Sequence, residues 1–139
     1  RWVPAARDIK PDAVKEITFY ELADAKGAAI GYAFVAEGQG YQGTIKILTG
    51  LDTSLENLLG IEILESVETP GLGQRINDED FRKQFINLKV SSHIECVKSD
   101  TSDENQIKAI TGATVSSRAV VNILNEEIEK IRPCIQKEK

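Results

Sequence analysis

Thr111-Gly112-Ala113-Thr114-Val115-Ser116-Ser117 is the stretch whose residue types best suit a ligand. It is a small-residue turn leading into the last amphipathic segment of the chain. Free backbone N–H groups and the helix dipole at such a junction favour an anion, above all a phosphate. Gly112 and Ala113 let the backbone approach closely, and hydroxyls at Thr111, Thr114, Ser116 and Ser117 add donors. A hydroxyl N-cap with no ligand accounts for the same residues. The residues themselves therefore leave two readings open, a phosphate seat and a plain helix start.

Other chemistry has less material. Gly38-Gln39-Gly40-Tyr41-Gln42-Gly43 matches G-x-G-x-x-G, but a dinucleotide loop must open onto a helix, and Thr44 to Leu48 continues as strand. A glycine loop between strands is the better account. Glu62, Glu65 and Glu68 could pair for acid–base work, although solvated strand and loop positions explain them more simply. Cys96 and Cys134 could form a disulfide or be small buried hydrophobes. His93 reads as a loop residue. Ser116-Ser117 has neither a nucleophile-elbow context nor a second histidine for hydrolase chemistry.

The elements that must hold these groups follow from periodicity. Arg1 to Ala13, with Pro4 and Pro11, reads as a lead-in segment. Ile17 to Leu22 and Ile30 to Val35 are β-branched and aromatic, and Asp24 to Gly27 between them supplies a turn, so a hairpin is expected. Thr44 to Leu48 and Gly60 to Leu64 alternate apolar with polar as half-buried strands do, with a reversal around Asp52 to Ser54. Glu68-Thr69-Pro70-Gly71-Leu72-Gly73 is too rich in Pro and Gly for either regular element. Asn77 or Asp78 caps a helix through Phe81 and Phe85. Ile94 to Val97 and Ile107 to Ile110 are short strands either side of a polar loop. Val120, Leu124, Ile128 and Ile131 form the stripe of a closing helix that Pro133 is expected to stop. The sum is one α+β domain: a mostly antiparallel sheet with flanking helices, the last one following the Thr111 motif.

Composition trims the function classes. A chain of 139 residues suits a single domain. Seventeen Lys plus Arg against 22 Asp plus Glu leave −5, the wrong sign for a protein that binds nucleic-acid backbones. One histidine and two cysteines leave little for a metal site. The longest apolar run, Ala28 to Ala36, is far short of the roughly 20 residues a spanning helix needs. There is no methionine, not even at position 1, so part of a longer protein is expected.

Taken together, the motifs resemble a known family. Thr111 to Ser117 resembles the flavinylation motif of the FMN-binding domain family found in RnfG and NqrC. Glu68 to Gly73 is similar to its second hallmark, and Gly40-Tyr41-Gln42-Gly43 with Gly50-Leu51-Asp52 to its early segment. The resemblance implies that Thr114 carries FMN through a phosphoester bond. It places Glu68, Thr69, Leu72 and Gly73 near the flavin ring, with Thr111, Gly112, Ala113, Val115 and Ser116 around the attachment point. It further implies an RnfG-like electron-carrying subunit of an Rnf-type ion-translocating ferredoxin:NAD oxidoreductase complex, loaded by a flavin transferase of the ApbE type. An N-terminal membrane helix, absent from these residues, would hold the domain on the extracytoplasmic side, and residues 1–13 would be the linker from it. The alternatives are an NqrC-like subunit of a Na+-translocating NADH:quinone reductase and a non-redox sensing or docking module on the same fold. The sequence departs from the pattern at Lys108, where related sequences commonly have Asp. Lys108 would then either weaken the mark read by the transferase or approach the phosphate.

Overall fold

The computed structural model describes residues 2, 3, 18–68 and 72–138. Its centre is a sheet of five strands in chain order: β1 (Trp2–Val3), β2 (Tyr20–Ala23), β3 (Ala29–Gln39), β4 (Thr44–Asp52) and β5 (Leu58–Glu65). All neighbours are antiparallel. From β2 onward short turns dictate this meander, because each reversal is too brief for a crossover. Asp24 builds the first of these reversals by accepting from the N–H groups of Lys26 and Ala28. Asp52 builds another, accepting from the Asn57 side chain at 2.9 Å and the Ser54 hydroxyl at 2.8 Å. Within the stretch read as a lead-in, Trp2–Val3 pairs with the edge of β2.

Alternation decides which face is covered. In β4, Ile45, Ile47, Thr49 and Leu51 are buried while the residues between them are half-buried. Phe34 and Ala36 of β3 join them in the core, and α2 (Thr114–Glu138) packs across this face. Its Val120, Leu124, Ile128, Ile131 and Ile135 are all buried, each contributing about 1.5–3 kcal/mol of transfer free energy. The helix lies so close to β3 that a Cβ on Gly38 would stand 2.6 Å from Ile123 Cγ1.

Pro133 does not end α2, which runs on to Glu138. Proline removes one backbone bond, and the turn beyond it is kept by burial of Cys134 and Ile135 against the core. The helix expected through Phe81 and Phe85 is broken into α1 (Glu79–Arg82) between two 3-10 turns, Gly73–Asn77 and Lys83–Phe85. Asp78 does precede α1 but makes no side-chain cap. Both phenylalanines are buried, edge to face at 5.3 Å. Two short strands, β6 (Glu95–Val97) and β7 (Gln106–Lys108), pair in parallel and lead the chain to the start of α2. The last strand is thus shorter than the Ile107 to Ile110 reading and displaced toward Gln106. Both cysteines are free, Cys134 buried and Cys96 half-buried.

Candidate functional site

Glu68 follows β5 and points inward, only 1% exposed. A buried carboxylate must find donors or lose its charge. It finds them on two distant segments. The Tyr41 N–H donates to Oε1 and the Gln42 N–H to Oε2, both at 2.7 Å. The Ser116 hydroxyl donates to Oε1 at 2.6 Å. Burial pushes this carboxyl up, but the Ser116 hydroxyl and the N–H groups of Gln42, Tyr41 and Gly43 outweigh it and hold it below the ordinary glutamate value.

The G-x-G-x-x-G loop is therefore a nest around an internal carboxylate. Its N–H groups, which could have cradled a phosphate, are spent on Glu68. The loop is also anchored, since Gly40 N–H donates to the Gly43 carbonyl at 2.7 Å. Glycine is required at its ends by close approach. A Cβ on Gly40 would sit 2.4 Å from Ile45 Cδ1 and 2.8 Å from Glu68 Oε1, and one on Gly43 would sit 2.6 Å from Val67. Gly73 is hemmed in on two sides, because its Cβ would be 2.7 Å from both Glu68 Cβ and Ser116 Oγ. Glu62 and Glu65 stay on the solvated side of β5, Glu65 paired with Lys46 at 3.2 Å, so the three carboxylates form no acid–base group.

The start of α2 is built for an open end. Ala113 precedes its first residue, and its carbonyl accepts from the Ser117 N–H at 3.0 Å. Alanine has no side-chain acceptor, so the hydroxyl cap considered from sequence is not made, and the first-turn N–H groups have no partner within the helix. Ser117 works instead behind the turn: its hydroxyl donates to the Ala113 carbonyl at 2.8 Å and accepts from the Ile110 N–H at 3.0 Å. Gly112 reverses the chain with φ +83° and has nothing near the place a Cβ would occupy. Gly112→Ala is accordingly expected to cost about 1 kcal/mol through left-handed strain alone. Urea unfolding would measure it, and a neutral result would contradict the strain.

Between these pieces opens a cleft of about 380 Å³, lined by Tyr41, Leu72, Gly73 and Gly112 to Ser116. That volume lies in the range of small-molecule sites. Its floor is the helix start, and its exposed walls are apolar: Tyr41 is 66% exposed, Leu72 50% and Val115 57%. Thr114 is half-buried on the floor. The residues present fit a ligand with an anionic end and a broad apolar body.

The sequence-derived site residues are thus largely brought together. Leu72, Gly73, Gly112, Ala113, Thr114, Val115 and Ser116 all border the cleft, while Glu68 sits beneath it. Thr69 lies outside the described residues. Thr111 turns into a neighbouring concavity with Arg75 and Lys108, where its carbonyl accepts from Arg75 at 3.1 Å. Lys108 is engaged there by Asp100 at 3.0 Å, and Gln84 grips its backbone. Tyr41 was not foreseen as a site residue. The available signal was an aromatic side chain set between two glycines at the end of a strand.

Among the described residues, no helix is long and apolar enough to cross a membrane. None of them forms a group of three or more His, Cys, Asp or Glu side chains suited to a metal ion. Residues 40–129 match the family described as FMN-binding domain. The chain is 31% identical over 137 residues to the RnfG-type subunit of the ion-translocating oxidoreductase complex of Methanosarcina acetivorans, covering 93% of this chain and 70% of that protein. It is 36% identical over 102 residues to the corresponding subunit of the proton-translocating ferredoxin:NAD(+) oxidoreductase complex of Clostridium ljungdahlii, covering 73% and 54%. For the Na(+)-translocating counterpart of Acetobacterium woodii the figures are 31% over 126 residues, covering 89% and 60%. The chain therefore spans between 54% and 70% of these relatives' lengths. In fold it is similar to Shewanella oneidensis NqrC, with a TM-score of 0.73 over 89% of this chain and 61% of that one at 16% identity. It is also similar to the NqrC-type subunit of the Na(+)-translocating NADH-quinone reductase from Parabacteroides distasonis, with a TM-score of 0.70 at 20% identity, covering 84% and 60%.

Proposed function

The chain belongs to the FMN-binding domain family, and on that premise we propose that it carries FMN covalently on Thr114 as the electron-carrying subunit of an Rnf-type ion-translocating ferredoxin:NAD oxidoreductase complex. One observation carries the assignment to Thr114. Of the four hydroxyls in the motif, Ser116 is spent on Glu68, Ser117 is spent on Ala113 and Ile110, and Thr111 faces the neighbouring concavity. Thr114 is left bordering the cleft at the first residue of the helix.

The chain's own residues then have defined tasks. The Thr114 side-chain oxygen forms the ester to the phosphate, and one water is lost in the net condensation. The remaining charge, a single negative one, lies at the positive end of α2 and near its first-turn N–H groups. Tyr41, Leu72 and Val115 offer apolar walls that exclude water from the ring. Bound FMN supplies the electron transfer itself, and the protein supplies attachment and surroundings. Thr114 is a tether and takes no part as acid or base.

The names of the relatives support the choice of complex, since all three are the same RnfG-type component of an ion-translocating assembly. In the same reading residues 1–139 act as a single FMN-binding domain, with 1–13 as its lead-in. An additional N-terminal helix outside these residues holds it at the membrane on the extracytoplasmic side. A flavin transferase of the ApbE type loads it, and other subunits of the complex exchange electrons with it. The test is intact mass spectrometry of protein co-expressed with such a transferase. One FMN less one water should be added. An unmodified chain under those conditions overturns the reading.

A further inference from the structure

The loop between β3 and β4 is held more firmly than its two side chains require. Gly40 and Gly43 have no room for a Cβ, the turn is closed from Gly40 to Gly43, and the N–H groups of Tyr41 and Gln42 both end on the buried Glu68 carboxylate. Such anchoring fixes the direction in which Tyr41 leaves the backbone. Of the loop's two side chains, only Tyr41 borders the cleft. Its ring is two-thirds exposed, and the other exposed apolar side chains of the same cleft, Leu72 and Val115, are aliphatic. Isolated exposed apolar residues need no explanation, but three around one concavity mark a surface meant to be covered.

We propose that Tyr41 is the aromatic wall of the cofactor site, its ring stacked against the isoalloxazine plane with Leu72 and Val115 bordering the rest, and that Glu68 is the positioning residue that presents it. The proposal rests on the attachment of FMN at Thr114. An offset stack is the favoured geometry for two such π-systems. Glu68 reaches the cofactor only through what it holds: the Tyr41 backbone on one side and Ser116 in the first turn of α2 on the other. One carboxylate thereby sets the distance between the ring's wall and the phosphate's floor.

A stacked phenol has an optical signature that a merely structural residue lacks. It passes one electron to the light-excited ring and takes it back, so nothing is consumed and fluorescence is quenched. The experiment compares flavinylated wild type, Tyr41→Leu and Tyr41→Trp, each read natively and again after unfolding in denaturant. Native Tyr41→Leu should be several-fold brighter than wild type, Tyr41→Trp should stay as dark as wild type, and all three should match once unfolded. The exposed position of Tyr41 makes both variants compatible with folding. Equal native brightness of wild type and Tyr41→Leu overturns the contact, and so does Tyr41→Trp as bright as Tyr41→Leu. Absence of the flavin mass from wild type instead overturns the attachment at Thr114, and the contact with it.

Discussion

A Thr114→Val protein is expected to fold like the wild type and to retain no flavin through denaturation. Valine keeps the shape of threonine and removes only the side-chain oxygen. Thr114 is half-buried at the first residue of α2, and no side-chain cap depends on it. The cost in stability should be under about 1 kcal/mol, the span of ordinary helix propensities. The effect on modification should be complete, because no other hydroxyl of the motif can take its place without a rearrangement. Ser116 would have to abandon a 2.6 Å bond to a buried carboxylate, and Ser117 would have to release both the Ala113 carbonyl and the Ile110 N–H. Thr111 lies on the far side of Gly112, beside Arg75. Intact mass and in-gel flavin fluorescence both report the outcome. Fluorescence that persists after denaturation of Thr114→Val would move the attachment elsewhere, and Thr111→Val would then be the next variant to examine.

Much of this arrangement is legible from local pattern. The strand alternation of β4, the stripe of α2 and the turn residues Asp24 and Asp52 are local signals, and each appears where periodicity places it. The closeness of Leu72–Gly73 to Gly112–Ser116 follows from motif resemblance and is not visible in either segment by itself. What local pattern misses depends on partners far along the chain. Glu68 reads as a solvated loop carboxylate because its donors lie 26, 27 and 48 positions away. Pro133 reads as a helix stop because the burial of Ile135 that sustains the last turn is tertiary. Gly38 to Gly43 reads as a loose loop because Glu68, its internal anion, is not adjacent in sequence. Lys108, a departure from the family pattern, has its charge answered locally by Asp100 across a solvated pair. Such exposed pairs contribute about 0–1 kcal/mol, so its replacement of an acid alters the surface more than the fold.

The same long reach makes Glu68 the most sensitive single side chain of the site. Replacing it by leucine strands the Tyr41 N–H, the Gln42 N–H and the Ser116 hydroxyl in a place shielded from water. Each orphaned donor costs about 1–3 kcal/mol, and the hydroxyl can turn to recover part of its share. A loss of about 3–5 kcal/mol is therefore expected for Glu68→Leu, against a total domain stability on the order of 5–15 kcal/mol. Glu68→Gln keeps one acceptor but faces an NH2 toward a donor, so it should fall between the two. The carboxyl also ties stability to pH. Its value in the folded chain is lowered despite burial, because the hydrogen bonds from Ser116, Gln42, Tyr41 and Gly43 prevail. Its contribution is thus full above the unfolded glutamate value of about 4.3 and fades as pH falls through the lower folded value. Urea titrations at neutral pH and at mildly acidic steps below it would resolve both effects. Wild type should lose stability toward acid more steeply than Glu68→Gln, and the midpoint of Glu68→Leu should fall at every pH with little change in slope. A Glu68→Leu protein within about 1 kcal/mol of wild type would mean that the loop and the helix start hold their places without the carboxylate between them.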